Sequence, residues 1–138
     1  MPTAGKVLVI DDDLDFLEFI RIILEAKGYS VTCAQNADEG LSLMRQEHPD
    51  VVLLDILMSY TMEGLDVTRA MGADPEISNI PLIIVSAVFT GANGLQRQGE
   101  KLPPIAAFMS KPVEPDELLS IIDQAIRSTK NSSTEVKP

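Results

Sequence analysis

The stretch VLVIDDD, residues 7–13, places four apolar residues directly before three aspartates. An aliphatic run without polar alternation is typical of a strand that is buried on both faces. Carboxylates this close together repel one another and resist burial unless a partner neutralises them. The stretch therefore predicts an interior strand that ends at a functional site, where a binding partner neutralises the acids.

Four further apolar runs of strand length follow along the chain: SVTCA (30–34), VVLLD (51–55), PLIIVSA (81–87) and IAAFM (105–109). Apolar residues at helical spacing occupy most of the segments between and after them, at 14–27, 37–47, 65–73 and 115–129. Strands that alternate with helices predict a doubly wound α/β sheet with right-handed crossovers.

Two segments depart from this alternation. Residues 89–104, FTGANGLQRQGEKLPP, contain three glycines and two prolines where a fourth helix is expected. Each interior glycine costs a helix about 1 kcal/mol relative to alanine, so an irregular or shortened helix is predicted there. The polar segment 128–138 is expected to be a disordered tail, which leaves one domain over 5–127.

The composition excludes several classes of function. The 138 residues include 11 basic and 21 acidic ones, and the net charge of −10 argues against direct binding of nucleic acid. A single cysteine, Cys33, cannot form an internal disulfide. The N-terminus lacks the pattern of a signal peptide, and no apolar run approaches the ~18 residues of a membrane span. A cytoplasmic protein that does not contact membranes is expected.

Polar residues stand at the ends of four of the five strands or just beyond. Asp11 and Asp12 follow the first, Asp55 ends the third, Ser86 lies at the end of the fourth and Lys111 follows the fifth. Ligands of doubly wound sheets bind beyond these carboxyl ends. Three converging carboxylates suit Mg²⁺, and a lysine with a hydroxyl suits phosphoryl oxygens. A carboxylate among them can act as nucleophile and form an aspartyl phosphate.

In this order, the motifs VIDDD, PDVVLLDILM, IPLIIVSA and SKPV resemble the receiver domain of two-component response regulators over about residues 5–127. The resemblance implies a flavodoxin-like fold with five parallel strands in the order 2-1-3-4-5. It also implies a phosphorylated signalling switch of the single-domain type, with no enzymatic activity beyond its own phosphorylation and dephosphorylation.

The resemblance also assigns roles at the predicted site. Asp11, Asp12 and Asp55 would hold Mg²⁺ together with the backbone carbonyl of Leu57. Asp55 would accept phosphate from a histidine kinase or phosphotransfer protein, and Ser86 and Lys111 would bind the phosphoryl group.

The output side of the switch is implied in the same way. Ser86 and Phe108 would move on phosphorylation and pass the signal to an unknown downstream protein. The alternative to a moving switch at Phe108 is an aromatic side chain that simply packs in the core. The Lys111-Pro112 bond is expected to be cis.

The loop after Asp55 departs from the family pattern. It reads LMSYTMEG, with Ser59 in place of the usual proline, and Gly64 follows nine rather than eight residues after Asp55. The added residue leaves open whether the Leu57 carbonyl still reaches the metal.

Two other functions remain as alternatives. A receiver-like interaction module that is independent of phosphate would fit the altered loops. A phosphatase of the haloacid dehalogenase type would use Asp11 and Asp13, which follow a strand at the spacing of that family's nucleophile and acid. The later acid pair and the cap domain of that family are not evident in the sequence. A purely structural interpretation of Asp13 is that its side chain caps the N-terminus of a helix.

Overall fold

The computed structural model describes residues 4–56, 63–86 and 103–135, and the side chains of residues 4–56, 64–85 and 103–128. Within these ranges the strands are β1 (Lys6–Ile10), β2 (Ser30–Ala34), β3 (Val51–Leu54), β4 (Leu82–Ser86) and β5 (Ile105–Ser110). The helices are α1 (Leu14–Glu25), α2 (Ala37–Glu47), α3 (Glu63–Ala73) and α4 (Pro115–Glu135).

The five strands form one parallel sheet in the order β2-β1-β3-β4-β5. This confirms the doubly wound, flavodoxin-like arrangement. β1 pairs with β3 in a register that sets Ile10 opposite Leu54, so Asp11 and Asp55 leave the sheet at the same level. The register continues past the strands, because the Asp55 N–H donates to the Ile10 carbonyl at 3.0 Å.

The sheet carries a separate hydrophobic core on each face, and β1 shows why its sequence does not alternate. Val7 and Val9 pack with apolar residues of α1 and α4. Leu8 and Ile10 pack with apolar residues of α2 and α3. All four side chains are almost completely buried. An interior strand covered by helices on both faces needs apolar residues at every position.

Helix α1 begins directly after the acidic cluster. The Asp13 side chain accepts hydrogen bonds from the N–H groups of Asp15 and Phe16 and so caps the helix. This satisfies two of the donors that the first turn of a helix leaves without partners. Leu17, Ile20 and Leu24 form the buried side of α1.

The last helix is longer than the sequence predicted. The sequence predicted a helix over 115–129 and a disordered tail from 128, whereas α4 continues to Glu135. The domain bounds 5–127 stay a prediction. No glycine or proline interrupts residues 128–135, and an existing helix gains one hydrogen bond for each residue it adds without a new nucleation cost. Residues 136–138 lie outside the described part of the chain.

Most of the predicted irregular helix, 89–104, also lies outside the described residues, which resume at Pro103. Its irregular or shortened form stays a prediction.

Candidate functional site

Three carboxylates meet at the carboxyl end of the sheet. One oxygen from each of Asp11, Asp12 and Asp55 lies within 4.8 Å of the others. The parallel pairing of β1 with β3 produces this cluster, because it brings the residues that follow two neighbouring strands to the same edge. Asp11 is 1% exposed and Asp55 is 6% exposed, so water provides little compensation for their charges.

Lys111 brings a positive charge to this cluster. Its Nζ lies 2.8 Å from Asp11 Oδ2 and 3.5 Å from Asp55 Oδ2. β5 is separated from β3 by β4, so only a long side chain from its end can reach both acids. The peptide bond between Lys111 and Pro112 is cis, as expected from the resemblance.

The charge of Lys111 depends on two opposing effects. Burial alone would lower the pKa of the Lys111 ammonium, but the hydrogen bond and the charge of Asp11, together with those of Asp55, outweigh burial and raise this pKa. Lys111 is therefore a cation at neutral pH. Three carboxylates still face one ammonium, so negative charge is in excess at the site.

The donor set fits a hard divalent cation. All three clustered groups are carboxylates, which is the ligand type that Mg²⁺ prefers. Lys111 occupies Asp11 Oδ2, and the Asp13 N–H donates to Asp11 Oδ1 at 2.9 Å. Asp11 is thus held in place from both of its oxygens. A second cation beside Lys111 would offset the remaining charge, so the residues present fit the Mg²⁺ that the resemblance implies.

Asp13 lies outside the carboxylate cluster. Its side chain is exposed and caps α1, where it accepts from the N–H of Asp15 at 3.0 Å. The N-cap interpretation of this acid is confirmed. The haloacid dehalogenase alternative needs Asp13 as a catalytic acid, and this contact engages it elsewhere.

The remaining predicted site residues differ in what the structure describes. Ser86 ends β4 and pairs with Ser110, next to Lys111, so its backbone lies at the same edge of the sheet. Phe108 lies on β5 with 39% of its surface exposed, which is not the environment of a fully buried core aromatic. Its movement as a switch stays a prediction. Leu57 lies outside the described residues, so the role of its carbonyl as a metal ligand stays a prediction.

Sequence reasoning missed one residue at this site, Phe16, and the contact made by another, Gly64. The ring of Phe16 covers the Lys111 ammonium, with 4.3 Å between its centroid and Nζ. In the sequence Phe16 is only one member of the apolar stripe of α1. Gly64 lies against the end of β3, where its N–H donates to the Ile56 carbonyl at 3.0 Å. Its place in the family motif was visible, but the contact was not.

Comparison with known proteins agrees with this geometry. The family model of the response regulator receiver domain matches residues 7–123. The chain belongs to this family. It is 34% identical to the protein PilH of Pseudomonas aeruginosa over 124 residues, a match that covers 88% of the chain and 98% of PilH.

The chain is also similar to a longer response regulator and to a solved receiver structure. The chain is 27% identical to the DNA-binding response regulator MtrA of Mycobacterium tuberculosis and spans 54% of the length of that protein. It is also similar to the crystal structure of a CheY-like response regulator receiver domain protein from Methanospirillum hungatei. The TM-score is 0.77 and the identity 28%, over 92% of the chain and 97% of that structure.

Membership of this family establishes the general function. Receiver domains are phosphoacceptor signalling switches rather than enzymes of metabolism, and neither the phosphate-independent module nor the phosphatase is favoured. Receiver domains bind Mg²⁺ at an acidic pocket, and they interact with histidine kinases or phosphotransfer proteins. Among the described residues, no helix is both long and apolar enough to cross a membrane.

Proposed function

We propose that this receiver domain is phosphorylated on Asp55 in a Mg²⁺-dependent reaction, with a histidine kinase or phosphotransfer protein as the donor. The observation that carries the proposal is the cluster itself. Asp55 lies beside two further carboxylates within 4.8 Å, and Lys111 Nζ reaches one of its oxygens at 3.5 Å. An acceptor oxygen, acids to hold a metal and the lysine ammonium are thus within reach of one phosphoryl group.

The chemistry requires one bond to form and one to break. A carboxylate oxygen of Asp55 attacks the phosphorus of the donor's phosphohistidine, and the P–N bond breaks with its electron pair passing to the imidazole. The product is an aspartyl phosphate. Mg²⁺, held by Asp11, Asp12 and Asp55 and by the Leu57 carbonyl, would supply charge neutralisation for the phosphoryl oxygens.

The other residues position and stabilise. Lys111 donates a hydrogen bond to one phosphoryl oxygen, and the Ser86 hydroxyl donates to another. The low exposure of Asp55 keeps bulk water from the nucleophile. In the dephosphorylation step, water attacks the phosphorus, the P–O bond to Asp55 breaks with its electron pair returning to the carboxylate, and inorganic phosphate leaves.

Signal output would proceed through a change of protein partner. Ser86 and Phe108 are proposed to shift when the phosphoryl group arrives and to alter the surface that a downstream protein binds. The net charge of −10 favours a protein partner over direct contact with nucleic acid. The site of action is proposed to be the cytoplasm.

Mass spectrometry with a small acyl-phosphate donor tests the proposal. Incubation with acetyl phosphate and Mg²⁺ should add one phosphoryl group, and peptides should locate it on Asp55. Asp55→Asn should abolish the addition, since an amide lacks the nucleophilic charge.

Asp13→Asn is the matched control, because Asp13 lies two residues from Asp11 but outside the cluster, and asparagine is an equally good N-cap. It should be labelled like the parent chain. Undiminished labelling of the Asp55 variant, or no labelling of the parent, would contradict the proposal.

A further inference from the structure

An aromatic ring forms one wall of the phosphoryl site. The centroid of the Phe16 ring lies 4.3 Å from Lys111 Nζ, well within the range of a cation–π contact. Phe16 belongs to the first turn of α1, whereas Lys111 follows β5. The contact therefore joins two elements that are far apart in the sequence.

The ring is fixed by its surroundings. The N–H of Phe16 donates to the Asp13 carboxylate at 3.3 Å, which holds the backbone in the capped first turn. The side chain packs against the core on the α1 side of the sheet. The ring of Phe19, one turn later, lies 6.5 Å away between centroids. Phe16 therefore presents its ring to Lys111 with little freedom to move.

A ring contributes something at this position that another oxygen could not. An ammonium has three N–H donors, and two of them face Asp11 and Asp55. The face of an aromatic ring attracts a cation without offering a lone pair, and it excludes water from that side. The Lys111 side chain is only 21% exposed, so its ammonium is largely shielded from water.

We propose that Phe16 is a positioning residue for phosphorylation at Asp55, because its ring holds the Lys111 ammonium between Asp11 and the acceptor. In the structure the ammonium is closer to Asp11, at 2.8 Å, than to Asp55, at 3.5 Å. When a phosphoryl group adds charge at Asp55, the ammonium can turn toward it while it keeps its contact with the ring. This inference rests on the proposed function of Asp55.

Replacement of Phe16 by phenylalanines with one, two and three ring fluorines tests the inference. Fluorine withdraws electron density from the ring face while it nearly preserves the shape of the side chain. The rate of phosphorylation by acetyl phosphate should fall stepwise along the series, by about 2- to 30-fold in total, the range that corresponds to a cation–π contact of this kind. The affinity for beryllofluoride, a mimic of the bound phosphoryl group, should fall in parallel.

The same fluorinated series at Phe19 is the matched control. Phe19 lies on the same helix and contacts Phe16, so it reports on packing rather than on the charge of Lys111. That series should leave the rate and the beryllofluoride affinity unchanged. Unfolding free energies of both series are measured alongside. They should fall modestly along the Phe16 series, because the contact is already present in the unphosphorylated fold, so rates are compared under conditions in which every variant is fully folded.

Each outcome decides the inference. A stepwise loss at Phe16 with no loss at Phe19 supports it. A flat series at Phe16 in a protein that is still labelled on Asp55 overturns the positioning role and leaves the proposed function intact. A parent chain that takes up neither phosphate nor beryllofluoride overturns both.

Discussion

Gly64 lies directly against the backbone of Asp55. A Cβ built on Gly64 would stand 2.5 Å from the Asp55 carbonyl oxygen and 2.5 Å from the Ile56 Cα. No other residue type fits there unless α3 or the end of β3 moves. Because Gly64 has no Cβ, the start of α3 can pack directly against the backbone of the candidate acceptor, Asp55.

We expect Gly64→Ala to destabilise the fold by about 1–3 kcal/mol, the usual cost of overpacking, although alanine is the better helix former. Labelling of Asp55 should slow as well, because the displaced backbone carries its carboxylate. Denaturant unfolding and the acetyl phosphate assay measure the two effects.

Gly40→Ala is the comparison for this variant. The Cβ there would meet side-chain atoms of Ile10, at 2.5 Å and beyond, rather than backbone. Shifting the end of the Ile10 side chain within the core costs less than shifting a backbone, so the loss of stability should be smaller. An equal or larger loss in Gly40→Ala would contradict the argument.

Neighbouring acids should respond to substitution with opposite signs. Asp12→Ala removes one of three clustered carboxylates, so without Mg²⁺ the free energy of unfolding should rise and the affinity for Mg²⁺ should fall. Asp13→Ala removes the cap of α1 and should lower the free energy of unfolding by about 0.5–2 kcal/mol with the Mg²⁺ affinity unchanged. Thermal unfolding with and without Mg²⁺ measures both. Changes of the same sign would show that Asp12 is not part of a repulsive cluster.

Lys111 should compete with the metal for Asp11. Its Nζ occupies Asp11 Oδ2 at 2.8 Å, so Lys111→Met, which removes the charge but keeps much of the apolar stem, should raise the affinity for Mg²⁺ measured by calorimetry. The same variant should be phosphorylated more slowly, because the phosphoryl oxygen loses a donor. An unchanged or weaker Mg²⁺ affinity would refute the competition.

The ion pair between Arg45 and Asp74 should make stability depend on pH. Arg45 Nε donates to Asp74 Oδ2 at 2.9 Å and ties α2 to the turn after α3. The hydrogen bond from Arg45, followed by the one from the Glu76 N–H, lowers the pKa of Asp74 below its ordinary value of 3.8.

A lowered pKa in the folded state means that the unfolded chain binds a proton first as the pH falls. The stabilisation is therefore complete well above pH 3.8 and is lost as the pH drops through the lower, folded value. Asp74→Asn should be less stable than the parent at neutral pH, and the difference should shrink in strong acid. Asp123→Asn breaks a more exposed pair with Arg127 and should lower the free energy of unfolding at neutral pH less than Asp74→Asn does. A gap for Asp74→Asn that is constant with pH would disprove the link.

The residues alone were enough to predict the sheet and most of its elements. The runs VLVI, VVLL and LIIV are buried by helices on both faces. Such runs have no polar face that could be turned to solvent, so they indicate interior strands of a parallel sheet. Strand ends then decide where the polar residues go, which is why Asp11, Asp12, Asp55 and Lys111 could be placed at one edge before any coordinates. The extent of α4 could not be predicted in this way, because most of residues 128–135 have a weak helix preference and none is a helix breaker, so the preceding helix decides their conformation.

Only the tertiary structure decided which of these groups touch and which further residues support them. The preference of Lys111 for Asp11 over Asp55 depends on differences of less than an ångström between side chains on separate strands. Phe16 is an ordinary apolar residue of α1 in the sequence, and its contact with Lys111 arises because the start of that helix lies near the end of β5. Gly64 is likewise required by a contact with a backbone nine residues earlier. Local patterns specify strands, helices and their ends, whereas contacts between elements depend on how the packed layers meet.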